Sequence, residues 1–279
     1  MDGKALAERI RAEVAQEVAE LGGLGLATVL VGDDPASEIY IGHKHRAADE
    51  VGIRPHDVRL PADIAEDDLV TRVAELNADD EVDGVLVQLP LPRHLDEARV
   101  IRAVDAVKDV DGLHPFNAGM LFLGRPTHVG ATPLGILALL NEYKIPLAGE
   151  KVVVVGRSDI VGKPVALLLL HQNATVTLCH SRTVDLARET LDADVLVVAV
   201  GIPALVTPDM VKTGATVIDV GMNRTEGGLL GDVDPAAMEV AAHMTPVPGG
   251  VGPLTVACLL RNTVKAARYR RGDLAFPSN

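Results

Sequence analysis

KVVVVGRSDIVGKP, residues 151–164, runs on directly into VALLLLHQN at 165–173. The valine-rich start predicts a buried strand over Lys151–Val155, and the apolar stretch after Pro164 predicts a helix. Between them, Gly156-Arg157-Ser158-Asp159-Ile160-Val161-Gly162 joins a strand end to a helix N-terminus. In that layout free backbone N–H groups and the helix dipole converge on a phosphate. The dinucleotide fingerprint GxGxxG is absent. The GxxxxGK[ST] loop is missed too, because the glycines stand one residue too far apart and Pro164 replaces the hydroxyl that would hold Mg²⁺. A phosphate cradle and a plain packing turn both stay open on this stretch alone.

The next predicted strand, Thr175–Cys179, narrows the choice. It ends in His180-Ser181-Arg182-Thr183, where an NAD-preferring fold places a carboxylate for the ribose 2′-OH. A carboxylate would repel a 2′-phosphate, whereas Arg157 and Ser181 suit one through charge-assisted hydrogen bonds. The cofactor expected is therefore NADP. Arg182 reads equally well as a solvated charge.

Outward from there, short β-branched runs alternate with helical patterns along the whole chain. Strands are expected at Leu26–Val31, around His56–Leu60, and at Gly84–Leu89, Val195–Val200 and Thr216–Val220. Helices are expected at Ser37–Val51, Glu66–Asn77, Asp96–Val104 and Pro133–Tyr143, with a closing one from about Leu254 to Arg271. An N-terminal helix shows in the spacing of Leu6, Ile10, Val14, Val18 and Leu21. The stretch Lys108–Pro133, rich in Gly, Pro and Asp, reads as the crossing point between two halves. The expected fold is α/β, two lobes with parallel sheets and a cleft between them.

Composition limits the partners. Aromatics are only 2% of the 279 residues and the net charge is −13, which argues against a base-stacking or phosphate-backbone surface. No nucleic acid is expected. The longest uncharged apolar run, Val129–Leu140, falls short of the ~20 residues of a spanning helix. Charges at Asp2, Glu8, Glu13 and Glu17 interrupt any signal peptide, so no membrane association and a cytosolic protein are expected. Cys179 and Cys258 sit in apolar runs and read as buried thiols. His43 and His45 form a ligand-like pair without a third ligand, and no metal is expected.

In the first half, Tyr40 and Lys44 stand four apart on the helix opened by Pro35-Ala36-Ser37 and so share a face. A Tyr-x-x-x-Lys pair invites comparison with short-chain dehydrogenases, but here it precedes the glycine turn by more than a hundred residues rather than following it. The strand Gly84-Val85-Leu86-Val87-Gln88-Leu89-Pro90-Leu91-Pro92 carries one polar residue, Gln88, at the end that faces a ligand crevice in a parallel sheet. Lys108-Asp109-Val110-Asp111-Gly112 puts two carboxylates at the lobe junction, without the remaining ligands of a calcium loop.

PASEIYIGHK, DGVLVQLPLP, KDVDGLHP, GRSDIVGKP and TPVPGGVGPLT, in that order, resemble the bifunctional methylenetetrahydrofolate dehydrogenase/cyclohydrolases over nearly the full length. The resemblance implies a catalytic, folate-binding domain over 1–131 plus 256–279 and a Rossmann-like NADP-binding domain over 132–255. It implies that Tyr40 stacks on the folate, that Lys44 is the catalytic lysine of the cyclohydrolase step, that Gln88 holds and tunes it, and that Asp111 grips the pterin. Val87 and Leu89 flank Gln88 as substrate contacts, and Pro248-Gly249-Gly250-Val251-Gly252 lines the shared cleft. Gly156, Arg157, Ser158, Ile160, Ser181 and Met222 fall at cofactor-contact positions, and a homodimer is expected. Two departures stand out. The N-terminus is a few residues shorter than usual, and Ala131 stands where a Cys commonly precedes Thr132-Pro133. A dehydrogenase-only relative and a non-catalytic NADP- or folate-binding protein are the alternatives; Lys44 speaks against the first, and Lys44, Gln88 and Asp111 together against the second.

Overall fold

The computed structural model describes residues 1–277. In chain order it contains α1 (Gly3–Leu21), β1 (Leu24–Val31), α2 (Pro35–Glu50), β2 (Ile53–Leu60), α3 (Glu66–Ala78), β3 (Gly84–Val87), α4 (Glu97–Ala103) and α5 (Pro115–Phe122). It continues with α6 (Ala131–Glu142), β4 (Lys151–Val155), α7 (Gly162–His171), β5 (Thr175–Cys179), α8 (Leu186–Leu191), β6 (Val195–Val198) and β7 (Thr216–Asp219). The hairpin β8 (Asn223–Thr225) and β9 (Gly228–Leu230), then β10 (His243–Met244) and α9 (Val251–Arg271), complete it. Contacts divide the chain into two compact units, one of Arg9–Ala131 with the chain from Val256 onward, the other of Met1–Glu8 with Thr132–Thr255.

The unit starting at Arg9 is built on a parallel sheet of order β2-β1-β3. Central β1 is buried at all eight positions, which is why LGLATVLV reads as a continuous apolar run rather than an alternating one. Val29, Val85 and Val87 of this sheet pack with Leu69, Val73 and Leu76 of α3 and Val100 of α4. Helix α2 begins where Asp34 accepts a hydrogen bond from Ser37 N at 2.8 Å and Pro35 occupies the first turn.

The other unit holds a five-stranded parallel sheet of order β10-β7-β6-β4-β5. Val155 at the end of β4 lies in register with Cys179 of β5 and Val198 of β6, so three strand ends form one rim beside the glycine turn. Residues 1–8, grouped with the first lobe in the sequence reading, cluster here. The Met1 ammonium donates to Met244 O at 2.7 Å, Asp2 N donates to the Tyr143 hydroxyl, and Gly3 abuts the Gly250 carbonyl so closely that a Cβ would lie 1.8 Å from its oxygen.

Helix α5, helix α8, the β8–β9 hairpin and β10 were not expected from the sequence. The strands expected at Gly84–Leu89, Val195–Val200 and Thr216–Val220 end one or two residues earlier. Past the end of β6, Val200 N donates to the Asp232 carboxylate at 2.7 Å. Cys179 and Cys258 are free thiols, both buried.

Candidate active site

Helix α2 presents Lys44 to the end of β3. The half-buried Lys44 amine donates to Gln88 Oε1 at 3.1 Å, and Gln88 Nε2 donates to Leu89 O at 2.8 Å, so the carboxamide is turned with its acceptor toward the lysine. Gln88 N donates to Val29 O at 2.9 Å, continuing the ladder one residue beyond β3 and fixing where that side chain starts. Val87 is buried and Leu89 half-buried beside it. One turn before Lys44, Tyr40 leaves 44% of its surface exposed, a flat ring on the same helical face. His45, the next residue along, reaches the other way: its Nε2 lies 2.6 Å from the hydroxyl of buried Thr28 on β1. Among the described residues no group of three or more His, Cys, Asp or Glu is arranged to hold a metal.

The two aspartates of the KDVDG segment differ in what surrounds them. Asp109 is buried, and its Oδ2 accepts from His114 N at 2.8 Å and from Asn117 Nδ2 at 2.7 Å. Burial pushes its pKa up to about 6 against the pull of these donors. Asp111 is half-buried, and no described residue donates a hydrogen bond to its carboxylate. Burial raises its pKa and the charge of Lys44 lowers it; for Lys44, burial lowers the pKa and the charge of Asp111 raises it. A neutral Gln88 adds no charge that would hold the amine protonated. Lys44, Gln88 and Asp111 thus come together in one unit, with Tyr40 on the same helix.

In the other unit the turn after β4 is closed by its own backbone. Gly156 adopts φ +121°, and a Cβ there would stand 2.1 Å from Ala199 O; a Cβ on Gly162 would stand 2.0 Å from Gly156 O. Both glycines are obligatory, and they bring the first turn of α7 against the end of β4. Ser158 Oγ accepts from Val161 N at 3.1 Å and Gly162 N at 3.3 Å, capping the helix start. Arg157, Ser158 and Ile160 are exposed on this turn, and Ser181 is exposed just past the end of β5, to which Gly156 N is tied through Cys179 O at 3.0 Å. The Arg157 guanidinium forms no ion pair with a described residue.

The same unit holds the 248–252 loop. Gly249 has φ +109°, Gly250 N donates to Pro246 O at 2.9 Å, and Val251 and Gly252 open α9. Met222 lies against this loop, since a Cβ on Gly252 would come within 2.9 Å of its methyl carbon. Two carboxylates missed in the sequence organise the surrounding loops. Asp219 accepts from the backbone N of Gly221, Asp232 and Val233, and Asp232 accepts from Val200 N, Gly201 N and Asn223 Nδ2, all at 2.7–3.0 Å. The available signal was an Asp closing a short apolar stretch, in TVID and LLGD.

Two family models match the chain. Residues 1–111 match the tetrahydrofolate dehydrogenase/cyclohydrolase catalytic domain, and residues 130–271 match the NAD(P)-binding domain of the same family. The bifunctional protein FolD of Exiguobacterium sibiricum is 51% identical over 273 residues, covering 96% of this chain and 99% of that protein. The crystal structure of the bifunctional FolD methylenetetrahydrofolate dehydrogenase/cyclohydrolase from Campylobacter jejuni superposes with a TM-score of 0.94 at 44% identity, covering 96% of this chain and 98% of the other. The Trypanosoma brucei methylenetetrahydrofolate dehydrogenase-cyclohydrolase, solved with NADP and an inhibitor, superposes with a TM-score of 0.93 at 39% identity, covering 97% of each chain. The chain belongs to the tetrahydrofolate dehydrogenase/cyclohydrolase family.

Proposed function

We propose that this protein oxidises 5,10-methylenetetrahydrofolate to 5,10-methenyltetrahydrofolate with NADP and hydrolyses the product to 10-formyltetrahydrofolate. The observation that carries the reading is the meeting of an amine of lowered pKa, Lys44, with a neutral hydrogen-bond partner, Gln88, and a carboxylate with open acceptor sites, Asp111.

The two steps ask different things of these residues. Oxidation expels a hydride, pushed out by a nitrogen lone pair, and moves no proton, so the protein need only hold the reactants. NADP supplies the hydride acceptor. The turn Gly156–Gly162 fits its phosphates, since its two glycines let the start of α7 close against the end of β4, the layout in which helix N–H groups meet a phosphate. Exposed Arg157 and Ser181, with no carboxylate at the end of β5, suit the 2′-phosphate; Ser158, Ile160 and Met222 complete the contacts.

Hydration differs. Water adds to the cationic carbon with loss of one proton. As the ring opens, the new hydroxyl loses its proton to become the formyl oxygen and the leaving ring nitrogen gains one, so that one proton is released overall. A neutral Lys44 amine takes the first and, once protonated, returns one to the leaving ring nitrogen. Gln88 holds the amine in place. Asp111, with both carboxylate oxygens open, accepts two parallel hydrogen bonds from the pterin ring N–H and amino group. Tyr40 stacks on the ring, and Val87 and Leu89 line the folate.

The same proposal gives the folate chemistry to 1–131 with 256–279 and NADP to 132–255. A cytoplasmic homodimer belongs to the same proposal, and light scattering on the purified protein tests the dimer. No helix among the described residues is long and apolar enough to cross a membrane. The deciding assay follows NADPH absorbance with methylenetetrahydrofolate, with NADP and NAD in parallel. NADPH formation followed by decay of the methenyl absorbance is expected, and no turnover with either nucleotide would refute the reading.

A further inference from the structure

We propose that Asn262 is a positioning residue for the folate site, acting through the backbone of Asp111. This rests on the reading of Asp111 as the pterin anchor. Asn262 lies on α9, 152 residues beyond the segment it serves, and is 3% exposed. Its Nδ2 donates to Val110 O at 2.7 Å and to Val129 O at 2.8 Å, which uses both amide hydrogens. The Val110 carbonyl belongs to the peptide that carries the Asp111 N–H, so the first bond sets the plane from which the Asp111 side chain departs.

The second bond fixes the surface against which that peptide rests. Gly112 has φ +64°, and a Cβ there would stand 2.7 Å from the Val129 backbone. Asn262 therefore pins two backbone runs, 110–112 and 129–130, at the point where they touch. On the other side of Asp111, Asn117 Nδ2 donates to Asp109 Oδ2 at 2.7 Å and to Ala106 O at 2.9 Å, and its Oδ1 accepts from Thr127 Oγ1 at 2.6 Å. The backbone is held from both sides while the Asp111 carboxylate accepts no hydrogen bond from any described residue. A fixed base under an open acceptor pair is what two-point recognition of a flat N–H donor edge requires. Aspartate at 262 would set oxygens against two carbonyl oxygens, and an aliphatic residue would leave both carbonyls unpaired.

The test is a double-mutant cycle on the full-length protein. Asn262→Ala, Asp111→Ala and the double variant are compared for KM of methylenetetrahydrofolate, KM of NADP and melting temperature. Asn262→Ala is expected to raise the folate KM by ~5-fold or more with the NADP KM within about twofold, and to add less than about twofold once Asp111 is alanine. Equal effects in both backgrounds, or folate and NADP KM rising together, would overturn the proposal and leave Asn262 as a general support of the fold. An unchanged folate KM in Asp111→Ala alone overturns the anchor reading itself, a separate result. Asn262→Ser keeps one donor and carries the same cycle if the alanine variant does not fold.

Discussion

Lys44, Gln88 and Asp111 arrive at one place from a helix, a strand end and a loop, and what meets there is side-chain atoms. Between Gly156 and Gly162 the chain meets itself, and what meets is peptide atoms. The first arrangement can lose a member and keep its frame, because each backbone segment is held independently. The second can change any outward side chain without loss of shape but has no room for a single added methyl. Side-chain sites should therefore fail in their chemistry, and the backbone site in its geometry.

The strongest way to break this contrast is Lys44→Gln. Hydration should fall at least ~10²-fold, the low end for loss of a general base, while oxidation continues. Methenyltetrahydrofolate would then accumulate as NADPH forms, and hydration at the parent rate would leave Lys44 without its role. The pH profile adds a sign. Only the neutral amine can accept a proton, so the parent hydration rate should rise with pH through the Lys44 pKa, at a pH below the usual lysine value of 10.5 because burial lowers it. That limb should vanish in the variant.

Arg157→Ala tests an outward side chain of the turn. NADP affinity should drop by about 1.5–3 kcal/mol, NAD affinity hardly at all, and the melting temperature should hold. Equal loss for both nucleotides would mean that Arg157 does not read the 2′-phosphate. Gly162→Ala sharpens the same comparison from within: forcing Gly156 O away should cost about 1–3 kcal/mol in thermal unfolding. It should weaken NADP and NAD alike, with hydration of added methenyltetrahydrofolate preserved; a loss confined to NADP would erase the distinction between the two kinds of site. The smallest effect is expected from Ser158→Ala, which removes the acceptor of Val161 N and Gly162 N, for about 1 kcal/mol of stability. An undisturbed unfolding midpoint would show that the glycines alone hold the turn.

Most of the strands could be read from residue patterns because they are short valine-rich runs, and a fully covered parallel sheet leaves them no polar face; the strand order could not. Helix α5 was hidden by the Gly, Pro and Asp around it, yet His114-Pro115 carried its start: the imidazole accepts from Phe116 N at 3.1 Å and proline takes the first turn. The three-residue strands of the β8–β9 hairpin are too short to show a period. Site residues divide the same way. Lys44 stood out through its four-residue spacing from Tyr40 on one helical face, and Gln88 as the polar interruption of an apolar strand. Nothing local separates Asp109 from Asp111, whose difference lies in Asn117 and His114. Asn262 was invisible for the same reason, since its partners are carbonyls distant in the chain, and carbonyls carry no residue identity.

The two buried cysteines divide evenly, Cys179 in the unit containing Thr132–Thr255 and Cys258 in the unit containing Arg9–Ala131. Burial raises both thiol pKa values, so neither sulfur offers a ready thiolate to an alkylating reagent in the folded chain. Each is a clock for its own unit. The rate at which a maleimide captures Cys179 times the opening of one sheet, and the rate for Cys258 times the loosening of α9, so mass spectrometry of the unaltered protein can follow two local unfolding reactions at once.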